Sequence, residues 1–279
     1  MSLIAIIGAG PIGSTLAHTL AGRSRVREIR LIDADVAVAQ GKALDIQQSG
    51  PVEGFSVTVS GAESLHAAAG ADAIVIADAA SGLGEHAGEA GLALIRQIDA
   101  AGISGPFVFA GASQRELMAR CVTELHLPQK TIIGSAPFAL ESALRALCGV
   151  TADSSAVEIS LSLAGVPPRH AVVAWQEATV SGQPLTSVIA PHDIAALAAR
   201  IPGIWPPGPY ALASAGARIV EALCAGSRRR FSCFVDYGRG RIVAVPVELE
   251  RGGIKRIIEP VLSTVERTAF DNALTTRPT

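Results

Sequence analysis

The segment that most restricts the fold of this chain is a glycine-rich turn near its start. Residues 8–13 read GAGPIG, directly after the apolar run LIAII and directly before STLAHTLAGR, which has helical spacing of apolar residues. A short buried strand, a tight turn and a helix in immediate succession are typical of the first unit of a β/α sheet. The turn therefore predicts an α/β protein.

The spacing of the glycines, GxGxxG, gives each of them a separate physical role. Gly8 permits the tight turn, Gly10 lets the backbone approach a diphosphate, and Gly13 lets the helix pack closely against the strand. The first amides of the helix then face the phosphates, and the helix dipole favours their negative charge. Gly8, Gly10, Pro11, Ile12 and Gly13 are accordingly the predicted diphosphate-binding residues.

An acidic residue supports this interpretation of the turn. Asp33 ends the second predicted strand, REIRLID, 20 residues after Gly13. A carboxylate at this place accepts hydrogen bonds from the adenosine ribose and repels a 2′-phosphate, which favours NAD over NADP. The alternative is a glycine-rich turn in an α/β protein that binds another ligand or none.

The strand and helix pattern changes near the middle of the chain. Up to about residue 147, the strand candidates SVTVS, ADAIVIAD, GPFVFAG and KTIIGS are mostly separated by helix-like stretches, which predicts a parallel sheet covered on both faces. After Cys148–Gly149, strands able to pair antiparallel mix with helices, with a hairpin around Tyr237–Arg241 and a final helix over residues 254–274.

The expected fold class is therefore α/β, with two domains. A Rossmann-type doubly wound parallel sheet that binds NAD is predicted over residues 1–147. A C-terminal mixed α+β substrate domain is predicted over residues 148–279.

Composition excludes several classes of function. The net charge is −2, so no strong attraction to nucleic acid or to a membrane surface is expected. The chain has no apolar run long enough for a membrane span and no signal-peptide pattern at its start. Its four cysteines have no CxxC spacing, which favours reduced thiols over a metal or disulfide role. These features predict a cytoplasmic protein without a metal.

Three segments resemble the L-lactate/L-malate dehydrogenase family in order and spacing. They are LIDAD with QGKALDIQQSGPVEGF (residues 40–55), the strand ADAIVIAD, and RIVAVPVELERGGIKRIIE. The resemblance implies an NAD-binding domain followed by a substrate domain, assembled as a homodimer or homotetramer. It also implies hydride transfer between nicotinamide and the CH–OH group of a small 2-hydroxy acid.

The same resemblance implies catalytic groups that this chain lacks at the usual positions. The family uses a histidine as acid/base, an aspartate that orients it, and arginines that bind the substrate. In this sequence Pro167 aligns with the histidine, Leu144 with the carboxylate-clamping arginine, and Glu141 with the orienting aspartate. The loop over residues 77–90 contains no arginine, and Gly111–Ala112 replace the usual asparagine positions. Ordinary malate or lactate turnover is therefore not expected.

Two histidines are candidates for a relocated acid/base. His170 lies three residues after Pro167, with Arg169 beside it as an anion-binding candidate and Glu141 as its possible orienting carboxylate. His86 lies in the loop expected to close over the nicotinamide, near acidic residues. Two functions stay open: a divergent dehydrogenase acting on a non-standard substrate, and a catalytically inactive NAD(H)-binding protein with a sensing or scaffolding role.

Overall fold

The computed structural model describes residues 2–82 and 84–275 of the chain. Its strands are β1 (Leu3–Ile7), β2 (Glu28–Ile32), β3 (Thr58–Ala62), β4 (Ala73–Ile76), β5 (Phe107–Phe109), β6 (Ile132–Gly134), β7 (Ile159–Ser160), β8 (Leu163–Val166), β9 (His170–Val173), β10 (Thr179–Val180), β11 (Gln183–Pro184), β12 (Arg230–Asp236), β13 (Ile242–Glu250) and β14 (Gly253–Ile257). Its helices are α1 (Pro11–Arg23), α2 (Val36–Glu53), α3 (Gly88–Ala100), α4 (Arg115–Thr123), α5 (Ala136–Thr151), α6 (Leu185–Val188), α7 (Pro191–Ala199), α8 (Pro209–Ala225) and α9 (Thr264–Thr275).

The first half of the chain forms a parallel sheet with strand order β3-β2-β1-β4-β5-β6. Every residue of β1 and β4 is buried, as expected for strands covered by helices on both faces. The strand order reverses between β1 and β4. Ligands of doubly wound sheets bind at this point, beyond the carboxyl ends of the strands.

The second half of the chain continues the same sheet with antiparallel strands. Strand β12 pairs with β6 through Phe234 and Gly134, and β13, β8 and β9 follow it in that order. A separate sheet contains β11, β10 and β7. Helix α8 contacts both α1 and α5, so it joins the two halves of the chain. The division at residues 147 and 148 stays a prediction.

The predicted fold class is confirmed, because a Rossmann-type parallel sheet is followed by mixed α and β structure. The hairpin around Tyr237–Arg241 is also confirmed by the pairing of β12 with β13. The helix predicted over residues 254–274 is wrong in its first part. Gly252 has a φ of 84° in a tight turn that folds β14 back onto β13, and α9 begins only at Thr264.

No helix within the described ranges is both long and apolar enough to cross a membrane. The four cysteines are buried, and none of them is in a disulfide bond.

Candidate functional site

The glycine turn lies at the point where the strand order reverses. Gly8 follows β1 with a φ of 108°, a conformation that side chains disfavour, and a Cβ there would strike the carbonyl oxygen of Asp78. Gly10 N–H donates to that same carbonyl at 2.8 Å. Gly13 packs against the carbonyl of Gly8, which brings the first turn of α1 close to β1. The turn therefore has the backbone shape that its sequence predicted.

A carboxylate of the chain itself binds the start of α1. Asp78 follows β4, and its side chain accepts hydrogen bonds from Ile12 N–H at 3.1 Å and from Gly13 N–H at 3.0 Å. Only 6% of its surface is exposed. A Cβ on Gly10 would lie 2.5 Å from the Asp78 carboxyl carbon. Asp78 thus uses both the amides and the free space that the motif offers to a phosphate.

Asp33 is also bonded to the backbone of the turn. Its Oδ2 accepts from Ala9 N–H at 2.8 Å and from Ala80 N–H at 2.9 Å, and its Oδ1 accepts from Asp35 N–H at 2.9 Å. Burial alone would raise the pKa of Asp33, but the three amides stabilise the charged form, so that the pKa falls below its ordinary value. Asp33 therefore links β2 to the loop after β4.

The described residues that follow β4, residues 77–82 and 84–87, fold back over the carboxyl edge of the sheet. The Glu85 carboxylate accepts from Ala112 N–H at 2.8 Å and from Ser113 N–H at 2.7 Å, in the turn between β5 and α4. The buried Gln114 donates to the carbonyls of Ala77 at 3.3 Å and His86 at 3.0 Å. We call this loop the inner loop, because it spans from the glycine turn to the β5–α4 turn.

His86 lies at the end of the inner loop rather than in solvent. Its Nε2 is buried and has no hydrogen-bond partner among the residues that the structure describes. Burial lowers its pKa, and the charges of Asp33 and Asp78 only partly oppose this effect. His86 is accordingly neutral in the folded protein at neutral pH.

A cleft of about 610 Å³ opens beside Asp33, between the ends of β1 and β2 and helix α3. Its floor contains apolar side chains such as Ile7, Ile32 and Leu94. The acidic residues that line it are Asp33, Asp35, Glu63 and Glu85, and its described lining includes no lysine or arginine. The size and apolar floor fit an adenosine group, and the carboxylates can accept from ribose hydroxyls.

A dinucleotide thus fits this site in two of three respects. The glycine turn has the required backbone, and the cleft beside Asp33 has room for a nucleoside. The place of the diphosphate, however, holds the carboxylate of Asp78. Phosphate oxygens and the Asp78 carboxylate cannot use the amides of Ile12 and Gly13 at the same time.

A second cavity, of about 490 Å³, lies between the β5–α4 turn and the turn that joins β8 to β9. His170 and Arg169 line it from the β8–β9 turn, and Arg115 lines it from the start of α4. Arg115 donates to the carbonyl of Ile242 at 3.2 Å, and burial lowers its pKa. We call this the basic cavity, because two guanidinium groups and an imidazole border it together with a single carboxylate of the described lining, that of Glu116.

The position aligned with the family's catalytic histidine is filled by an apolar residue. Pro167 is buried at the β8–β9 turn, whereas Arg169 and His170 are exposed. Proline has no group that can transfer a proton. Among the described residues that line this cavity, His170 and Glu116 carry side chains that can act as an acid or a base. The role of His170 as a relocated acid/base stays a prediction.

Glu141 is not brought together with His170. It lies on α5 beside Ser232 and borders a different cavity, of about 370 Å³, together with Arg145 and Arg229. Ser232 in turn accepts from Leu163 N–H at 2.9 Å, at the opposite end of the β8–β9 hairpin from His170. Three residues of strand separate these ends by about 10 Å. The structure therefore gives no support to the predicted Glu141–His170 pair.

Sequence reasoning did not single out Asp78, Gln114 or Arg115 as parts of the sites, and it considered Glu85 only as an acidic neighbour of His86. Asp78 carried a usable signal, since it is an acidic residue directly after the buried strand β4, at the carboxyl edge where the glycine turn also lies. The partners of Glu85 and Gln114 are backbone groups far away in sequence, for which the pattern contains no signal.

Comparisons with known proteins agree with this architecture. Residues 2–98 match the model of the lactate/malate dehydrogenase NAD-binding domain, which confirms NAD as the predicted cofactor. A malate dehydrogenase from Roseiflexus sp. (strain RS-1) is 30% identical over 288 residues, covering 94% of this chain and 92% of the relative.

Two solved structures share the fold of the whole chain. The minor L-lactate dehydrogenase from Enterococcus mundtii has a TM-score of 0.84 at 20% identity, covering 98% of this chain and 95% of that one. The malate dehydrogenase from Aeropyrum pernix has a TM-score of 0.85 at 21% identity, covering 97% and 95%. Together with the 30% identity to the Roseiflexus relative, these matches show that the chain belongs to the lactate/malate dehydrogenase family.

Proposed function

We propose that this protein is an NAD-dependent oxidoreductase that acts on the CH–OH group of a small 2-hydroxy acid or a related non-standard substrate. The observation that carries the proposal is the basic cavity of about 490 Å³, in which Arg115 and Arg169 outnumber the single carboxylate of the described lining, that of Glu116, and share one space with His170. A small carboxylic acid suits such a cavity, because guanidinium groups pair with carboxylates in charge-assisted hydrogen bonds.

The side chains of the basic cavity have different roles in the proposed reaction, because their chemical groups differ. Arg169 is exposed at the mouth and is free to turn toward an incoming anion, whereas Arg115 is held at Ile242. His170 takes the proton from the substrate hydroxyl, or returns it to a carbonyl, because an imidazole nitrogen can both accept and donate a proton. When bound, NAD would supply the hydride acceptor.

The test is an NADH-oxidation screen over 2-oxo acids and uncharged ketones, followed by variants of the basic cavity. His170→Asn is expected to lower kcat about 10²–10⁴-fold on the best substrate, because it removes the proton donor. Arg169→Gln is expected to raise KM on acids and leave uncharged ketones unaffected. The matched control is His192→Asn, which alters an exposed histidine on α7. Equal activity of His170→Asn and the parent would end the proposed role of His170.

A second candidate is a catalytically inactive NAD(H)-binding protein with a sensing or scaffolding role. Two observations favour it: Pro167 occupies the aligned histidine position, and the carboxylates of Asp78 and Glu85 hold the inner loop in the cofactor crevice. NAD or NADH binding by calorimetry, without turnover of any substrate in the screen, would support this candidate over the oxidoreductase.

We also infer that the protein assembles as a homodimer or homotetramer, as the family resemblance implies. Sedimentation equilibrium over a range of protein concentrations tests this inference. A single species with the monomer mass of 28.6 kDa at all concentrations would contradict it.

A further inference from the structure

We propose that Asp78 is a specificity-determining residue that competes with the diphosphate of NAD for the start of α1. Its carboxylate occupies the diphosphate subsite from within the chain, so that NAD binds only when the carboxylate is displaced. The proposal rests on NAD binding, which is one half of the proposed function, and it requires no turnover.

The geometry makes the competition direct. Asp78 accepts from the amides of Ile12 and Gly13, and its carboxyl carbon lies 2.5 Å from the place that a Cβ on Gly10 would take. GxGxxG leaves this space free so that a phosphate can approach the backbone. A phosphate oxygen in the same place would need the same two N–H groups and the same volume.

Charge acts in the same direction as geometry. The neighbouring cleft is already lined by Asp33, Asp35, Glu63 and Glu85. Each diphosphate charge placed near Asp78 therefore meets like charges at short range in a partly buried crevice, where screening by solvent is weak. One cation lies beside the turn, because the Nζ of Lys42 donates to the carbonyl of Ala9 at 2.6 Å, and its charge offsets part of this repulsion.

The inner loop keeps Asp78 in this position. The main chain of Asp78 accepts from Gly10 N–H at 2.8 Å, and it forms a β-bridge with Glu85. The carboxylate of Asp33 accepts from Ala80 N–H at 2.9 Å, and the carboxylate of Glu85 accepts from Ala112 N–H at 2.8 Å. Removing the carboxylate alone leaves these main-chain anchors in place, so a substitution at Asp78 tests the charge and not the loop.

The nucleoside part of the ligand does not meet this obstacle. The cleft beside Asp33 is open, whereas Asp78 is not among the residues that line it. Adenosine, which carries no phosphate, is therefore expected to bind without displacing Asp78. The ratio of affinities for NAD and for adenosine is the property that Asp78 sets.

The experiment compares NAD, ADP-ribose and adenosine by calorimetry on the full chain and on Asp78→Ala. The variant is expected to bind NAD and ADP-ribose about 10- to 100-fold more tightly, since each charge-assisted hydrogen bond given up to Asp78 becomes available to phosphate. Adenosine affinity is expected to change less than about twofold. Asp78→Asn keeps the size of the side chain but loses its charge, so its affinities for NAD and ADP-ribose should lie between those of the parent and of Asp78→Ala.

The matched control is Asp72→Asn. Asp72 also accepts a backbone N–H, from Leu3 at 2.9 Å, but it lies at the amino ends of β1 and β4, away from the crevice. Asp72→Asn should leave the affinities for NAD, ADP-ribose and adenosine unchanged. Circular dichroism melts identify any variant that fails to fold, in which case Asp78→Asn replaces Asp78→Ala.

Distinct outcomes separate this inference from the proposed function. A gain for NAD and ADP-ribose without any turnover supports the role of Asp78 while the oxidoreductase proposal fails. Equal NAD affinity in parent and variant, an equal gain for adenosine, or no NAD binding by any variant overturns the role of Asp78.

Discussion

Replacement of Glu141 by glutamine should stabilise the protein at alkaline pH and much less at acid pH. Glu141 is only 6% exposed on α5, and burial raises its pKa from the ordinary value of 4.5 to about 7, against the opposing effects of Ser232, Arg145 and Arg229. The folded chain therefore binds this proton more tightly than the unfolded chain does. Stability falls as the pH rises through the window between these two values.

The magnitude follows from the width of this window. At about 1.4 kcal/mol per pH unit, the ionised Glu141 side chain costs the folded state about 3 kcal/mol above pH 7. Glutamine has almost the same volume and can still accept from Ser232, but it carries no charge. Glu141→Gln should therefore recover most of this free energy at pH 8.

Urea unfolding at pH 5 and pH 8 measures the effect, with tryptophan fluorescence as the probe. The difference in unfolding free energy between Glu141→Gln and the parent should be about 2–3 kcal/mol larger at pH 8 than at pH 5. Other titrating groups, His86 included, are common to both proteins and cancel. Glu53→Gln, which alters an exposed carboxylate at the end of α2, should stay within about 0.5 kcal/mol at both pH values. A Glu141→Gln effect equal at pH 5 and pH 8 would refute the reasoning.

Three further predictions concern stability, and urea unfolding measures each of them. Burial lowers the pKa of His86, so the unfolded chain takes up this proton at a higher pH than the folded chain does, and the unfolding free energy should fall as the pH drops below about 6.5. His86→Gln should make the unfolding free energy depend less on pH in this range. An unchanged pH dependence would contradict the burial of His86. Gly8→Ala should lower the free energy of unfolding by about 1–3 kcal/mol, because a φ of 108° is strained for alanine and the added Cβ would strike the main chain of Asp78. Gly22→Ala, a helical site with open space around it, should instead gain up to about 1 kcal/mol, and equal effects at the two glycines would refute the conformational argument. Leu144→Ala should cost about 2–5 kcal/mol at its fully buried site on α5. A loss below about 1 kcal/mol, similar to that of Leu44→Ala at its 57% exposed site, would be inconsistent with the packing of α5.

The secondary structure of the first half of the chain was predictable because its signals are local. The apolar run of β1, the glycines after it and the acidic end of β2 each follow from neighbouring residues. Where a long-range contact decides the conformation, prediction failed. Residues 254–257 have an amphipathic pattern that also suits a helix, but the turn at Gly252 and the pairing with β13 make them a strand.

The sites divide in the same way. The position of His170 beside Arg169 follows from their adjacency in the β8–β9 turn, and both line the basic cavity. The pairing of His170 with Glu141 depends on how far α5 stands from that turn, which no local pattern encodes. Arg115 borders the same cavity from the opposite side although it is more than 50 residues away in sequence.

By itself the sequence determined the type of protein: a glycine turn between a buried strand and a helix, with Asp33 after the next strand, specifies an α/β dinucleotide-binding fold. These features act over a few residues, through backbone sterics and the periodicity of apolar side chains. Only the tertiary structure decided what occupies the crevice. Asp78 reaches Ile12 and Gly13 because β1 and β4 are neighbours in the sheet, although more than 60 residues separate them in the chain. A carboxylate that lies close to the free amides at the start of a helix accepts hydrogen bonds from them. The order of the strands, which places β4 beside β1, brings Asp78 close to those amides.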